Sequence, residues 1–519
     1  MSTIKLALAT GETSNRASAD YIVVGGGTAG CVLAARLSED PNCDVLLIEA
    51  GPDVVDGPIA DPARWLELGS GRFDWGYSYA PSPHVAGRSI RIPRGRVIGG
   101  SSATNALLWY RGHPSDYDEW EASGAKGWNY ESLLPYFRRS EDWQGGASEQ
   151  RGAGGPMRIE TPPDPHPIAT ALLDASAELG LPVIDDPNGP SNEGAAYANL
   201  MISGGRRCSA ATAYLAPARA RPNLEVRCDS LVVGLLFEDA RCVGVQHLVD
   251  GKLETARADA EVIVCLGTFD SPRLLLRSGF GDPSELSRLG IPVRVPLPAV
   301  GENLRDHPLL AGLTFRARAP LGPVRDNGGG SILNWCSSTA TAPDLHALVA
   351  QGRRADDDLA ASYGLAGDVF AIGPGLMRST SVGRLRLTSA DTLEIQPNFL
   401  AETADVDRLA EAIDTVFDLA ATAAYRCLTT GPLMPHRRLS PTEKRDYIRA
   451  TCSTFFHAAG TCAIGPVLGA DLRVHGVEAL RVVDASVFPS LPSCNTTAPV
   501  IAVAERAADL IRFGQGAAS

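Results

Sequence analysis

Short apolar runs, each closed by a Gly-rich turn or a small polar residue, set the rhythm of this chain. The first, Tyr21 to Val24, has no internal polar residue and reads as a strand buried on both faces. From Ala29 to Leu37 the apolar residues Val32, Leu33, Ala35 and Leu37 predict a helix, and Val45 to Ile48 a second buried strand. Val262 to Leu266 repeats the pattern and runs into "GTFDSPRLLLRSGFG" at 267–281. There Pro272 follows Asp270 and Ser271, either of which is a capping residue, so a helix is expected to open at that point. Near the end, Leu480 to Val483 predicts a strand closed by Asp484, and Val500 to Ile511 an amphipathic helix preceded by Asn495, Thr496, Thr497 and Pro499. Strands alternating with helices in this way predict an α/β, doubly wound fold.

The turn after the first strand carries Gly25, Gly27 and Gly30 at G-x-G-x-x-G spacing. Gly25 permits the tight turn, Gly27 lets a pyrophosphate approach the backbone, and Gly30 lets the helix pack on the strand. The helix N-terminus would face the phosphates, where free N–H groups and the dipole favour negative charge. Glu49 ends the second strand, 19 residues past Gly30, placed to accept hydrogen bonds from a ribose diol and to repel a 2'-phosphate. The order of strand, glycines, helix, strand and acid implies a dinucleotide-binding unit and leaves NAD and FAD unseparated.

Composition narrows the class. A chain of 519 residues is too long for one ordinary core, so two domains are expected. A net charge of -13 argues against nucleic acid or an anionic membrane as partner, since either needs a basic footprint. No apolar stretch approaches the roughly 18 residues of a membrane span, and the N-terminal segment lacks a signal-peptide core. Residues 1–19, without periodicity, are expected to be a mobile arm. The eleven cysteines are scattered, with no C-x-x-C pair and no metal spacing, which reads as reduced core thiols in a cytoplasmic protein and no metal. A second Gly-rich string, "GRVIGGSSATNALLWYRG" at 95–112, exposes backbone N–H groups at Gly99, Gly100, Ser101 and Ser102, suited to a phosphate or a flat ring. A plain double-Gly turn explains the same residues equally well. Taken alone, His307, His457 and His475 read as structural histidines.

In order, "GGGTAG" with Glu49, "GRVIGGSSATN", "GTFDSPRLLLRSG", "VGENLRDH", "HAAGTCAIG" and "RVVDASVFPSLPSCNTTAPVIAVAERAADLI" resemble the glucose-methanol-choline (GMC) family of FAD-dependent oxidoreductases across residues 20–512. The resemblance implies that the dinucleotide is FAD. It implies a Rossmann-like FAD-binding domain (20–160, 206–310 and 452–519) and a discontinuous substrate domain (161–205 and 311–451). The latter is expected to hold an antiparallel sheet that includes "DLHALVAQ" and "RLRLTS", and the helix around "DVDRLAEAIDTVFDLAATAA". By the same resemblance His457, at the H-x-x-G-T position, and Asn495 are the catalytic pair, of the family's His/Asn subtype, while His307 and His475 match no catalytic position. Gly25, Gly27, Thr28, Ala29, Gly30, Glu49, Ala50 and Val232 would hold the ADP half of FAD. Gly99, Gly100, Ser101 and Asn105 would meet the phosphates and ring, with Asp484, Ala485 and Thr496 beside the pyrophosphate and flavin. Thr104 stands where some members tether flavin through a His, which implies non-covalent FAD.

Oxidising an alcohol removes a proton from oxygen and a hydride from carbon. A flavin takes the hydride at N5, and the protein supplies a base and alignment. The expected reaction is a primary alcohol (aryl, furanic or pyridine-type) to aldehyde, with oxygen as acceptor. The alternatives are a sugar, polyol or choline-type dehydrogenase using another acceptor, and a hydroxynitrile lyase that shares the fold. Phe456, with Trp335 or Phe370, hints at a flat substrate, although core packing explains these residues as well.

Overall fold

The computed structural model describes residues 17–390 and 392–514. Its first sheet grows outward from the dinucleotide strand. Ala17–Val24 lies parallel between Val45–Ile48 and the long strand Lys252–Val264, and Leu224–Arg227 extends the parallel set beyond Val45–Ile48. All four residues of Val45–Ile48 are buried, as its wholly apolar sequence requires. On its other edge Lys252–Val264 serves two further neighbours in succession. Its first half pairs antiparallel with Arg241–Val249, which in turn pairs with Ser230–Glu238, and its last three residues pair parallel with Leu480–Val482. Helices Thr28–Leu37 and Thr497–Phe513 pack against each other, joined where Arg36 donates to the fully buried carboxylate of Glu505.

A second sheet has eight strands, with Thr429–Met434, Thr314–Ala317, Val369–Leu376, Leu345–Ala350, Ser331–Trp335 and Gly194–Tyr197 in spatial order. Pro308–Leu310 and Cys452–Thr454 complete it. Helix Thr403–Ala420 covers Val369–Leu376 with its apolar stripe of Val406, Leu409, Ile413 and Val416.

Several local expectations are corrected. Residues 1–16 of the expected arm lie outside the described residues, but Ala17, Ser18 and Ala19 belong to the first strand, where they pair with Ala256, Arg257 and Ala258. Pairing with a distant strand overrides the weak local pattern. The helix expected to open at Pro272 begins five residues earlier, as Gly267–Arg277, with Pro272 inside it. Gly267 has φ +81° and marks the turn, while Asp270 accepts from the Tyr77 hydroxyl and Ser271 donates to Asp484 instead of capping. "DLHALVAQ" holds a strand of the second sheet, whereas "RLRLTS" pairs only with Leu393–Gln396, in a separate hairpin. The final helix starts at Thr497, ahead of the expected Val500, because Pro499 sits within its first turn, where the missing N–H costs nothing.

Candidate active site

Two cavities meet at the C-terminal ends of the parallel strands, where open α/β sheets bind ligands. The first runs along the first glycine turn. Gly25, Gly27, Thr28, Ala29, Glu49, Ala50, Gly100, Ser101, Val232, Asp484, Ala485 and Thr496 all line it. Three expected residues do not. Gly30 lies beneath the turn, where a Cβ would meet the Gly25 carbonyl at 1.9 Å, so its part is to let the helix pack on the strand. Gly99, at φ +89°, turns the chain into the short 3-10 helix Gly100–Ala103. Asn105 faces the other cavity and donates to the Thr497 hydroxyl at 3.0 Å.

The first cavity suits a dinucleotide. At Gly27 a Cβ would touch nothing closer than 3.9 Å, so it would project into the open cradle and fill it. The Glu49 carboxylate accepts from the Gly26 and Gly51 N–H groups at 2.8 and 2.7 Å. Those bonds fix its direction, and burial nevertheless raises its pKa to about 7. Asp484 accepts from Gly267 N, Ser271 and Ser486 N, and burial holds its pKa above the usual carboxylate value.

The second cavity opens beside the first and shares Arg94, Ser101, Phe456, Thr496 and Thr497 with it. His457 and Asn495 both line it, with the Asn495 amide nitrogen 3.0 Å from His457 Nε2. Because an amide nitrogen only donates, Nε2 carries the lone pair. Burial, then the nearby His307, Arg94 and His346, hold the His457 pKa well below the ordinary value, so the imidazole is neutral.

An antiparallel ladder puts His457 there. Pro308 to Leu310 pair with Thr454 to Cys452, the Phe455 N–H donates to the His307 carbonyl, and Arg305 and Ala459 exchange both backbone bonds. Within this ladder Phe456 takes a left-handed conformation at φ +67°, unusual for a bulky residue, and aims the following His457 into the cavity. Asp306 pins the ladder. It accepts from the backbone N–H groups of His307 and His457, each at 2.8 Å, and from the hydroxyls of Tyr79 and Thr454.

His307, read from sequence as structural, lies 2.9 Å from His457, Nδ1 to Nδ1. With the lone pair of His457 on Nε2, its Nδ1–H donates and His307 Nδ1 accepts, so His307 fixes the tautomer that leaves Nε2 free. Burial lowers the His307 pKa to about 3, which keeps that acceptor available. His475 is remote from this corner, bonded to the Gly465 carbonyl. Of the aromatic residues suggested from sequence, Phe456 lines the cavity, while Trp335 and Phe370 are buried in the second sheet and do not. Trp65 and Phe455 line it instead. Arg94, Asp306 and His307 were missed as site residues. No local signal marks Asp306 and His307, because Asp306 binds the backbone N–H groups of His307 and His457, which only the ladder brings together.

Among the described residues no group of His, Cys, Asp or Glu is arranged to hold a metal, and no helix is long and apolar enough to cross a membrane. Family models described as GMC oxidoreductase match residues 19–309 and 379–504. The chain is 38% identical to human "Choline dehydrogenase, mitochondrial", over 98% of this chain and 92% of that one. Among solved structures, pyridoxine 4-oxidase from Mesorbium loti superposes with a TM-score of 0.91 at 34% identity, covering 94% of this chain and 98% of that one. Formate oxidase from Aspergillus oryzae superposes with a TM-score of 0.88 at 26% identity, covering 98% and 100%.

Proposed function

The chain belongs to the GMC oxidoreductase family and is an FAD-dependent alcohol oxidoreductase, and from that premise we propose that it converts a primary alcohol of aryl, furanic or pyridine type to the aldehyde, using His457 and Asn495. The observation that carries the roles is the 3.0 Å contact between Asn495 Nδ2 and a neutral His457 Nε2 at the wall of the second cavity. FAD bound along the first cavity would supply the two-electron acceptor for the hydride of the carbinol carbon. His457 Nε2 takes the hydroxyl proton, a transfer worth roughly 10²- to 10⁴-fold when positioned. Asn495 turns its N–H to the developing alkoxide and holds it in line. His307 holds the His457 tautomer throughout. Gly25, Gly27, Thr28, Ala29, Glu49, Ala50 and Val232 would hold the ADP half of FAD, and Ser101, Asp484 and Thr496 the remainder. Thr104 has no imidazole to offer a flavin methyl group, so FAD is non-covalent.

Dioxygen is the acceptor in this reading, giving hydrogen peroxide. The resemblance to pyridoxine 4-oxidase supports a flat alcohol, as do the Trp65, Phe455 and Phe456 rings on the cavity wall. All eleven cysteines are free thiols, which supports a cytoplasmic setting. The test is a panel of alcohols scored for anaerobic bleaching of the flavin, followed by air. Aryl or pyridine alcohols should bleach it and air should restore the colour with peroxide. Bleaching by sugars or choline alone would refute the substrate class, and failure of air to restore the colour would refute oxygen as acceptor. Heat-precipitated protein should release all its FAD into solution.

A further inference from the structure

Asn495 lines two spaces, the substrate cavity and a smaller chamber behind it, whose wall also includes Tyr110, Asn192, Asn334 and His346. His346 belongs to the strand Leu345–Ala350 of the second sheet and packs edge-on to Phe455, with the ring centroids 5.6 Å apart. Tyr110 follows the second Gly-rich string, its ring 6.5 Å from that of His346. Both side chains are more than nine-tenths buried, with 2% of His346 and 5% of Tyr110 exposed.

The polar atoms of this chamber do not balance. The Asn192 carbonyl, which only accepts, takes a hydrogen bond from the Asn334 amide nitrogen at 2.9 Å, so Asn334 turns its oxygen to His346 Nδ1, 2.7 Å away. His346 therefore carries its proton on Nδ1 and an acceptor lone pair on Nε2. Burial lowers its pKa to about 4, which keeps that lone pair free near neutral pH. Asn495 directs its amide nitrogen to His457 Nε2, which leaves Oδ1 as a second acceptor. Both acceptor atoms are buried, and no described residue donates to either. Two acceptors cannot satisfy each other. Tyr110 has the opposite sense: the Asn199 backbone N–H turns toward its oxygen, and its hydroxyl hydrogen has no acceptor among the described residues. Buried polar groups of this kind are bonded to protein or to ordered water in nearly every native structure.

We propose that this chamber binds one ordered water, which accepts from the Tyr110 hydroxyl and donates to His346 Nε2 and Asn495 Oδ1, and that Tyr110 and His346 act through it as positioning residues for the Asn495 amide. A water has two hydrogens for the two acceptors and a lone pair for the one donor, and three bonds are usual for a buried water. With Oδ1 tied from behind, the amide does not flip, and its N–H groups stay toward His457 Nε2 and the developing alkoxide. A hydrogen bond accepted at Oδ1 also polarises the amide and strengthens its N–H as a donor. That positioning role rests on the part given to Asn495 in the alcohol-oxidising reading.

The experiment combines a high-resolution crystal structure of the holoenzyme with a double-mutant cycle. The structure should show a water bonded to Tyr110 Oη, His346 Nε2 and Asn495 Oδ1, each at about 2.7–3.2 Å. Tyr110→Phe keeps the ring and removes the hydroxyl, and it should slow anaerobic flavin reduction by about 3- to 10-fold, the range for one hydrogen bond, with flavin content full. His346→Phe should do the same, and His346→Gln, whose side-chain oxygen can stand in for Nε2 as acceptor, should recover part of the loss. In an Asn495→Ala background, Tyr110→Phe and His346→Phe should each slow the step by less than about 2-fold, because the amide they position is gone. A merely structural role would cost the double variants as much as the single ones, and that additivity overturns the proposal. So does a structure in which Tyr110 bonds His346 or Asn495 directly, or in which no water bridges the three atoms. Tyr110→Phe carries the cycle alone if a His346 variant does not fold. If Asn495→Ala reduces its flavin at the wild-type rate, the catalytic reading of Asn495 fails and the positioning role with it, while the crystal structure still decides whether the chamber binds the water.

Discussion

The dinucleotide cradle and the catalytic corner share a wall and are built on opposite plans. The cradle is mainly backbone: glycines at 25, 27 and 100, a helix N-terminus, and the Glu49 and Asp484 carboxylates, each fixed by two N–H groups. The corner is side chains, with His307, His457 and Asn495 brought from distant parts of the chain and held by a buried Asp306. A backbone site needs the absence of side chains and tolerates little added bulk, whereas a side-chain site depends on which nitrogen carries a proton.

The broadest effect, on flavin content and activity together, should come from adding bulk to the cradle. Gly27→Val projects into open space, so the chain should fold with a native thermal transition, yet flavin content and activity should both fall at least about 10-fold. Gly30→Ala should do the reverse, losing stability by about 1–3 kcal/mol because its Cβ meets the Gly25 carbonyl. Flavin absorbance against protein concentration, with a melting curve, separates the two. Equal behaviour would abolish the distinction between cradle surface and helix packing.

In the corner, Asn495→Ala should slow flavin reduction by roughly 10- to 10²-fold while flavin content stays full, since it removes one donor to the alkoxide and leaves the base. Single-turnover kinetics under nitrogen provide the check.

Smaller still is an acid sensitivity written into the corner. His346 is buried, bonded to Asn334, and its pKa is lowered to about 4 by burial. Below its unfolded value of about 6.5 the unfolded chain takes up the proton and the folded one does not. Its contribution to stability is therefore complete above about pH 6.5 and declines as pH falls towards 4, by about 1.4 kcal/mol per pH unit. Glu49 in the cradle has the opposite sign, because its raised pKa lets the folded apoprotein hold a proton that the unfolded chain has released. Replacing His346 with Phe should flatten the fall in Tm between about pH 6.5 and 4. An unchanged slope would mean that the histidine is already charged in the fold.

The same contrast explains what was legible in the sequence. Tyr21 to Val24, the three glycines, the helix to Leu37 and Val45 to Ile48 lie within one short stretch, so local pattern was enough for this part of the fold. Local pattern failed where a distant strand decides the outcome, as for Ala17 to Ala19, or where tertiary hydrogen bonds claim would-be caps, as for Asp270 and Ser271. For the corner, residue-by-residue reading gave His457 no more standing than His307 or His475. Only the motif resemblance singled out His457 and Asn495. His307 and Asp306 join them through a ladder linking residues some 150 positions apart, which no local pattern records.

The central claim is that His457 Nε2 removes the hydroxyl proton, and it is tested most directly by anaerobic stopped-flow reduction of His457→Ala beside the wild type across pH. With flavin content intact, the variant should be slower by roughly 10²-fold or more. It should recover part of the loss as pH rises, because more of the alcohol is then already alkoxide. The wild-type rate should hold well below pH 6.5, since the depressed His457 pKa keeps the base unprotonated there. A variant that reduces its flavin at the wild-type rate would contradict the account and move the base elsewhere in the cavity.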